Sequence, residues 1–164
     1  MASTDNAAQY DLPFIKLVYE FLPKDLMEKT EIKTIYEWAK MGLIQRDRLV
    51  EIAMANASNG KYKVVSEDGR DHCDGSDTKT VTINYRVTGR RNIIVTNISN
   101  KIGSLRIVAY DSKIDKFYFY YIFDFESVRN YNRLEFSVSS SSKYNNDICG
   151  KELYSFEDLA KYGE

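Results

Sequence analysis

The sequence predicts an α+β fold in which N-terminal helices pack on a mixed, mostly antiparallel sheet. Two changes along the chain carry that prediction. Up to Ala57 apolar residues recur at intervals of three and four, the spacing that gives a helix one buried face. From Lys61 onward the segments are rich in Val, Ile, Thr, Tyr and Phe and are separated by turn residues, the signature of strands. A chain of 164 residues with 43% hydrophobic content can bury one core without staples, so residues 1–164 read as a single domain. It divides into a helical part (11–58), a strand-rich part (61–124) and a loop with a short C-terminal helix (125–164).

Asp11 is placed to cap the first helix, with Pro13 in its first turn and Ile15, Val18, Tyr19 and Leu22 on one face. After Pro23 and Asp25 a second stripe runs through Ile32, Ile35, Tyr36, Ala39 and Leu43, with Gly42 as its stop. A third helix spans Arg46 to Ala57, burying Leu49, Val50, Ala53, Met54 and Ala57, and Asn59-Gly60 ends it. Five strands are then predicted: Lys61–Ser66, Thr78–Val87, Arg91–Asn97, Ser104–Tyr110 and Lys116–Phe123. The short link Asp111–Asp115 makes the last two a hairpin. Phe117, Phe119, Tyr121 and Phe123 alternate with Tyr118, Tyr120 and Ile122, so both faces of that strand look covered and the strand central. A short helix is predicted near Ser127–Arg133, and the polar run Ser137–Asn146 reads as a loop or weak edge. Ser155 caps a final helix that docks through Phe156, Leu159 and Ala160.

Composition limits the function. No apolar run approaches the roughly 18 residues of a membrane span, and the two cysteines, Cys73 and Cys149, have no paired spacing. The expectation is a reduced, cytoplasmic protein with no membrane partner. The net charge of −1 is unevenly laid out. Glu67, Asp68, Asp71, Asp74 and Asp77 crowd one segment, whereas Thr78 to Tyr110 carries Lys79, Arg86, Arg90, Arg91, Lys101 and Arg106 and no acid. A carboxylate cluster beside a cationic stretch suits a divalent metal next to a phosphate-binding surface. Arg90 and Arg91, following Gly89, are the best phosphate contacts outside the cluster.

Within the acidic segment, strand alternation puts Asp77 and Lys79 on one face with Val81, Ile83 and Tyr85. A carboxylate and an ammonium group then cap an apolar stripe, and an acid of the preceding turn (Asp68, Asp71 or Asp74) completes a hard oxygen set suited to Mg²⁺ or Mn²⁺. His72, the only histidine, is a candidate general base. The 13 tyrosines and 8 phenylalanines suggest a stacking surface, but the dense run Phe117–Phe123 holds no Lys or Arg, which favours packing.

An acid, a short gap and Asp-x-Lys entering a strand, with helices before and strands after, resembles the PD-(D/E)xK nuclease superfamily, the fold of many restriction endonucleases. The resemblance implies a restriction-endonuclease-like fold and Mg²⁺-dependent hydrolysis of DNA phosphodiesters. In it Asp77 and Lys79 match the second motif element, and the first acid is Asp68 or Asp71, with eight or five residues between it and Asp77. Asp77 with Asp71 or Asp68 would hold the metal and Lys79 would assist hydrolysis. An acid from an early helix sometimes joins such sites, which nominates Glu37 or Glu51. Double-stranded DNA is the implied partner, and a homodimer follows where symmetric duplex sites are read. The competing expectation is a non-catalytic module that binds a protein or nucleic acid through its aromatic sheet or the loop of Arg90 and Arg91.

Overall fold

The computed structural model describes residues 12–67, 70–98, 104–122, 132–138, 143–144, 148–153 and 155–161. Four helices come first: α1 (Leu12–Tyr19), α2 (Lys24–Lys29), α3 (Ile32–Lys40) and α4 (Arg46–Ala57). The predicted cap Asp11 lies outside the described residues. The helix α2 was not foreseen, and its physical reason is plain: its six residues bury none of their side chains, so no apolar stripe announces it. The helix α4 has the predicted span, and Asn59 and Gly60 end it with φ of 56° and 83°, the left-handed turn that releases a helix.

Ten strands follow: β1 (Val64–Glu67), β2 (Arg70–His72), β3 (Asp77–Thr82), β4 (Asn84–Tyr85), β5 (Arg91–Thr96), β6 (Leu105–Asp111), β7 (Lys116–Ile122), β8 (Arg133–Ser137), β9 (Lys143–Tyr144) and β10 (Ile148–Leu153). The helix α5 (Phe156–Lys161) closes the described chain, with the Ser155 hydroxyl accepting the Asp158 N–H at 3.0 Å as predicted. Most of the predicted helix over 127–133 lies outside the described residues, but its end is strand, since Arg133 opens β8.

The strands form a five-stranded sheet in the order β3-β6-β7-β10-β9, a three-stranded sheet β4-β5-β8 and the hairpin β1-β2. Only β3 with β6 is parallel, so the expected mixed, mostly antiparallel arrangement holds. The predicted strand Thr78–Val87 is two strands in different sheets, separated at Ile83, whose N–H donates to the Tyr110 carbonyl at 2.9 Å.

The five-stranded sheet is the middle layer. One face meets the helices: Val108, Tyr110, Phe117 and Phe119 pack with Phe14, Ile15, Leu49, Ala53 and Phe156. The other meets the three-stranded sheet: Leu105, Ile107, Ala109, Tyr120 and Ile122 pack with Ile93, Val95, Leu134 and Phe136. The strand β7 is central and splits its aromatics between the two cores. Phe117, Phe119 and Tyr120 are therefore interior, which removes that aromatic run as a docking face. Among the described residues no helix is long and apolar enough to cross a membrane.

Candidate active site

Five residues decide how the acidic segment is shaped. The chain leaves β2 through a turn closed by Gly75 N–H to the His72 carbonyl at 2.9 Å, with Gly75 at φ 89°, a conformation that costs glycine little. Asp74 is used in that turn: its Oδ1 accepts the Ser76 N–H at 3.0 Å and the Ser76 hydroxyl at 2.6 Å. Asp71 does something different. Its Oδ2 accepts the Thr78 N–H at 3.1 Å, which pins the carboxylate against the edge of β3 that β6 leaves open.

Alternation and register then place the motif side chains. Thr78, Thr80 and Thr82 pair with Arg106, Val108 and Tyr110 on the helix side, whereas Asp77, Lys79 and Val81 pair with Leu105, Ile107 and Ala109 on the side of the three-stranded sheet. Asp77 and Lys79 thus share a face. They differ in access: Asp77 is 0% exposed and Lys79 is half-buried. Asp77 lies inside the protein rather than at a mouth of the core. Asp68 lies outside the described residues.

Asp71 lies beside an acid of α4. The carboxyl of Glu51 on α4 is pushed up to about 8, by burial first, then by the Asp71 charge, with the charge of Asp47 and a hydrogen bond to Asp71 adding to it and Arg48 opposing it. Burial and the neighbouring Asp71 charge therefore keep Glu51 protonated near neutrality. Asp47, one turn earlier and 56% exposed, is also raised, by burial and by Asp71, while the charges of Arg46 and Lys79 lower it. Arg48 pairs with Glu51 at 3.2 Å and Arg46 lies 3.7 Å from Asp47. The packing therefore brings Asp47 and Glu51 of α4 beside Asp71 of β2, while Lys79, on the other face of β3, reaches Asp47 only through its charge. Of the two helix acids nominated from sequence, Glu51 joins the cluster; Glu37 instead lines a groove with Leu12, Lys16, Ile32, Lys33, Tyr36 and Lys40.

Comparison with known proteins finds no match: no family model, no curated protein and no solved structure is similar to the chain. Function has to be read from the chemistry of the site.

His72 is not available as a base. It is fully buried, its Nδ1 contacts the Tyr62 carbonyl and its Nε2 lies 2.8 Å from the Thr78 hydroxyl. A carbonyl only accepts, so Nδ1 carries the proton and Nε2 accepts from Thr78. Burial lowers the pKa and keeps the ring neutral. Arg91 is likewise engaged: its Nη1 donates to Asp111 at 3.2 Å and to the Tyr118 hydroxyl at 2.8 Å. Arg91 keeps 33% of its side chain exposed, and Arg90 beside it is exposed.

As holders of a divalent cation, Glu51 and Asp71 fit by donor chemistry. Their oxygens are hard and lie close together, and the proton that Glu51 keeps near neutrality is one a cation would replace. Among the described residues no three His, Cys, Asp or Glu side chains form a metal cage. Mg²⁺ needs none, because it binds through one or two carboxylates and keeps water and substrate phosphate on its other positions.

Proposed function

We propose that the protein is a Mg²⁺- or Mn²⁺-dependent endonuclease that hydrolyses phosphodiester bonds of double-stranded DNA, on a fold of the restriction-endonuclease type. The pairing of Asp71 with Glu51 supports this reading, because it sets two carboxyl groups together beside the edge of the strand that carries Lys79. Asp71 and Glu51 would hold the cation, and Asp47 adds negative potential from the solvent side. When bound, the metal supplies Lewis-acid activation of the scissile phosphate and of a water. Lys79 stabilises the charge that develops on the attacked phosphate. Asp77, enclosed under the same strand end, is the second motif acid of this reading, and Asp68 remains the alternative first acid.

The test is cleavage of supercoiled plasmid. Wild-type protein with Mg²⁺ or Mn²⁺ nicks or linearises it, EDTA stops the reaction, and Asp71→Asn and Lys79→Ala each lower the rate by about 100-fold or more while circular dichroism is unchanged. No metal-dependent cleavage of varied DNA, or normal cleavage by Lys79→Ala, overturns the proposal. Asp77→Asn decides its own case: a folded but inactive variant keeps Asp77 in the site, and full activity removes it.

A further inference from the structure

Beyond the acidic cluster, the strongest unassigned feature is the end of the molecule where the β4–β5 and β6–β7 loops lie together. Fully buried Asp111 joins them. It accepts the proton of the Tyr85 hydroxyl, whose oxygen lies 2.7 and 2.6 Å from its two carboxylate oxygens, and hydrogen bonds from Arg91 at 3.2 Å and from the Lys113 N–H at 3.1 Å. Lys113 Nζ sits 3.9 Å from the centre of the Tyr85 ring and crosses from one loop to the other.

Among the described residues this end carries more cations than acids, with Arg86, Arg90, Arg91, Lys113, Lys116 and Arg133 against Asp111, Asp115 and Glu135. Asp111 is held as described, Asp115 accepts from the Tyr110 hydroxyl at 2.9 Å, and Glu135 is paired with Arg86 and, at 2.8 Å, with Arg133. Arg90, Lys113 and Lys116 are exposed and form no ion pair among the described residues. Between them Val87 and Ile114 stand out at 108% and 54% exposure. Unpaired cations around protruding small apolar residues match a duplex, whose backbone is anionic and whose grooves admit apolar side chains.

We propose that this paired loop end is the duplex-gripping surface, with Arg90, Lys113 and Lys116 on phosphates and Val87 and Ile114 directed at a groove. The proposal rests on the nuclease reading for its choice of duplex DNA.

The experiment measures fluorescence anisotropy of a labelled duplex of about 25 base pairs with the full chain in EDTA, from 50 to 200 mM salt. Arg90→Gln/Lys113→Gln/Lys116→Gln is expected to weaken binding by about 10-fold or more and to reduce the log–log salt slope by about 2 to 3, at about 0.9 per lost phosphate contact. Val87→Ser/Ile114→Ser weakens binding with the slope unchanged. Lys16→Gln/Lys33→Gln, on the helices, binds as wild type. Unchanged affinity and slope in the triple variant overturn the inference, as does loss of sedimentation with anionic lipid vesicles while duplex binding is kept. The two readings fail separately. Loop-dependent binding by a protein that never cleaves removes the nuclease and keeps the interface; cleavage with unaltered KM in the triple variant does the reverse.

Discussion

Glu51 shows what one residue's surroundings do to the whole chain's pH response. Its folded pKa, about 8, lies above the ordinary 4.5, so the folded state binds a proton that the unfolded state has released between those values. Folding stability attributable to this group is then full below about pH 4.5 and falls as pH rises to about 8. Glu51→Gln removes the dependence. Urea titrations should find the variant at least as stable as wild type at pH 8, by on the order of 1 kcal/mol or more, and not more stable at pH 4.5. The same residue marks where sequence reading stops. Glu51 was one of two helix acids in view, and nothing local separates it from Glu37; only the packing of α4 beside β2 gives it Asp71 as a neighbour. His72 is the opposite case. Its place in an acidic turn suggested exposure, whereas the hairpin β1-β2 folds it inward against Tyr62 and Thr78.

Among elements, β4, β5 and β6 are tied by Asp111. Burial alone would raise its carboxyl pKa, but hydrogen bonds from Tyr85, Arg91 and the Lys113 N–H outweigh that and hold it below the ordinary 3.8. Its contribution is present above about pH 3.8 and is lost as pH falls through the depressed value. Asp111→Asn leaves Arg91 without its counter-charge and should cost about 2 kcal/mol at pH 7, with the difference narrowing in acid, as chemical denaturation at the two pH values would show. The elements that sequence revealed are those with a periodic apolar face, such as α4 and the hairpin of β6 and β7. Those it concealed lack one. Lys151 and Glu152 are poor strand formers, so β10 becomes a strand because β7 offers it an edge. The split between β3 and β4 leaves no mark, since the alternation of apolar residues continues through Ile83.

For the molecule as a whole, two cores share one sheet, and the helical core is closed by an aromatic cluster. Phe156 of α5 meets Phe21, Phe117 and Phe119 with ring centres 4.8, 5.9 and 4.9 Å away, and Arg106 lies between Tyr62 and Tyr121 while donating to the Leu159 carbonyl at 3.2 Å. Phe156→Ala empties the contact of α5, α1 and β7 and should cost about 3 to 5 kcal/mol, seen as a fall in Tm of about 6 to 20 °C.

Ile83 gives this layering a mechanical property. The five-stranded and three-stranded sheets are linked in series there by one residue, with the lysine-bearing strand on one side and the Tyr85 loop on the other. Any change of angle between β3 and β4 has to be taken up at Ile83, whose N–H is held by the Tyr110 carbonyl, so the Lys79 strand and the Tyr85 strand meet at a single anchored residue.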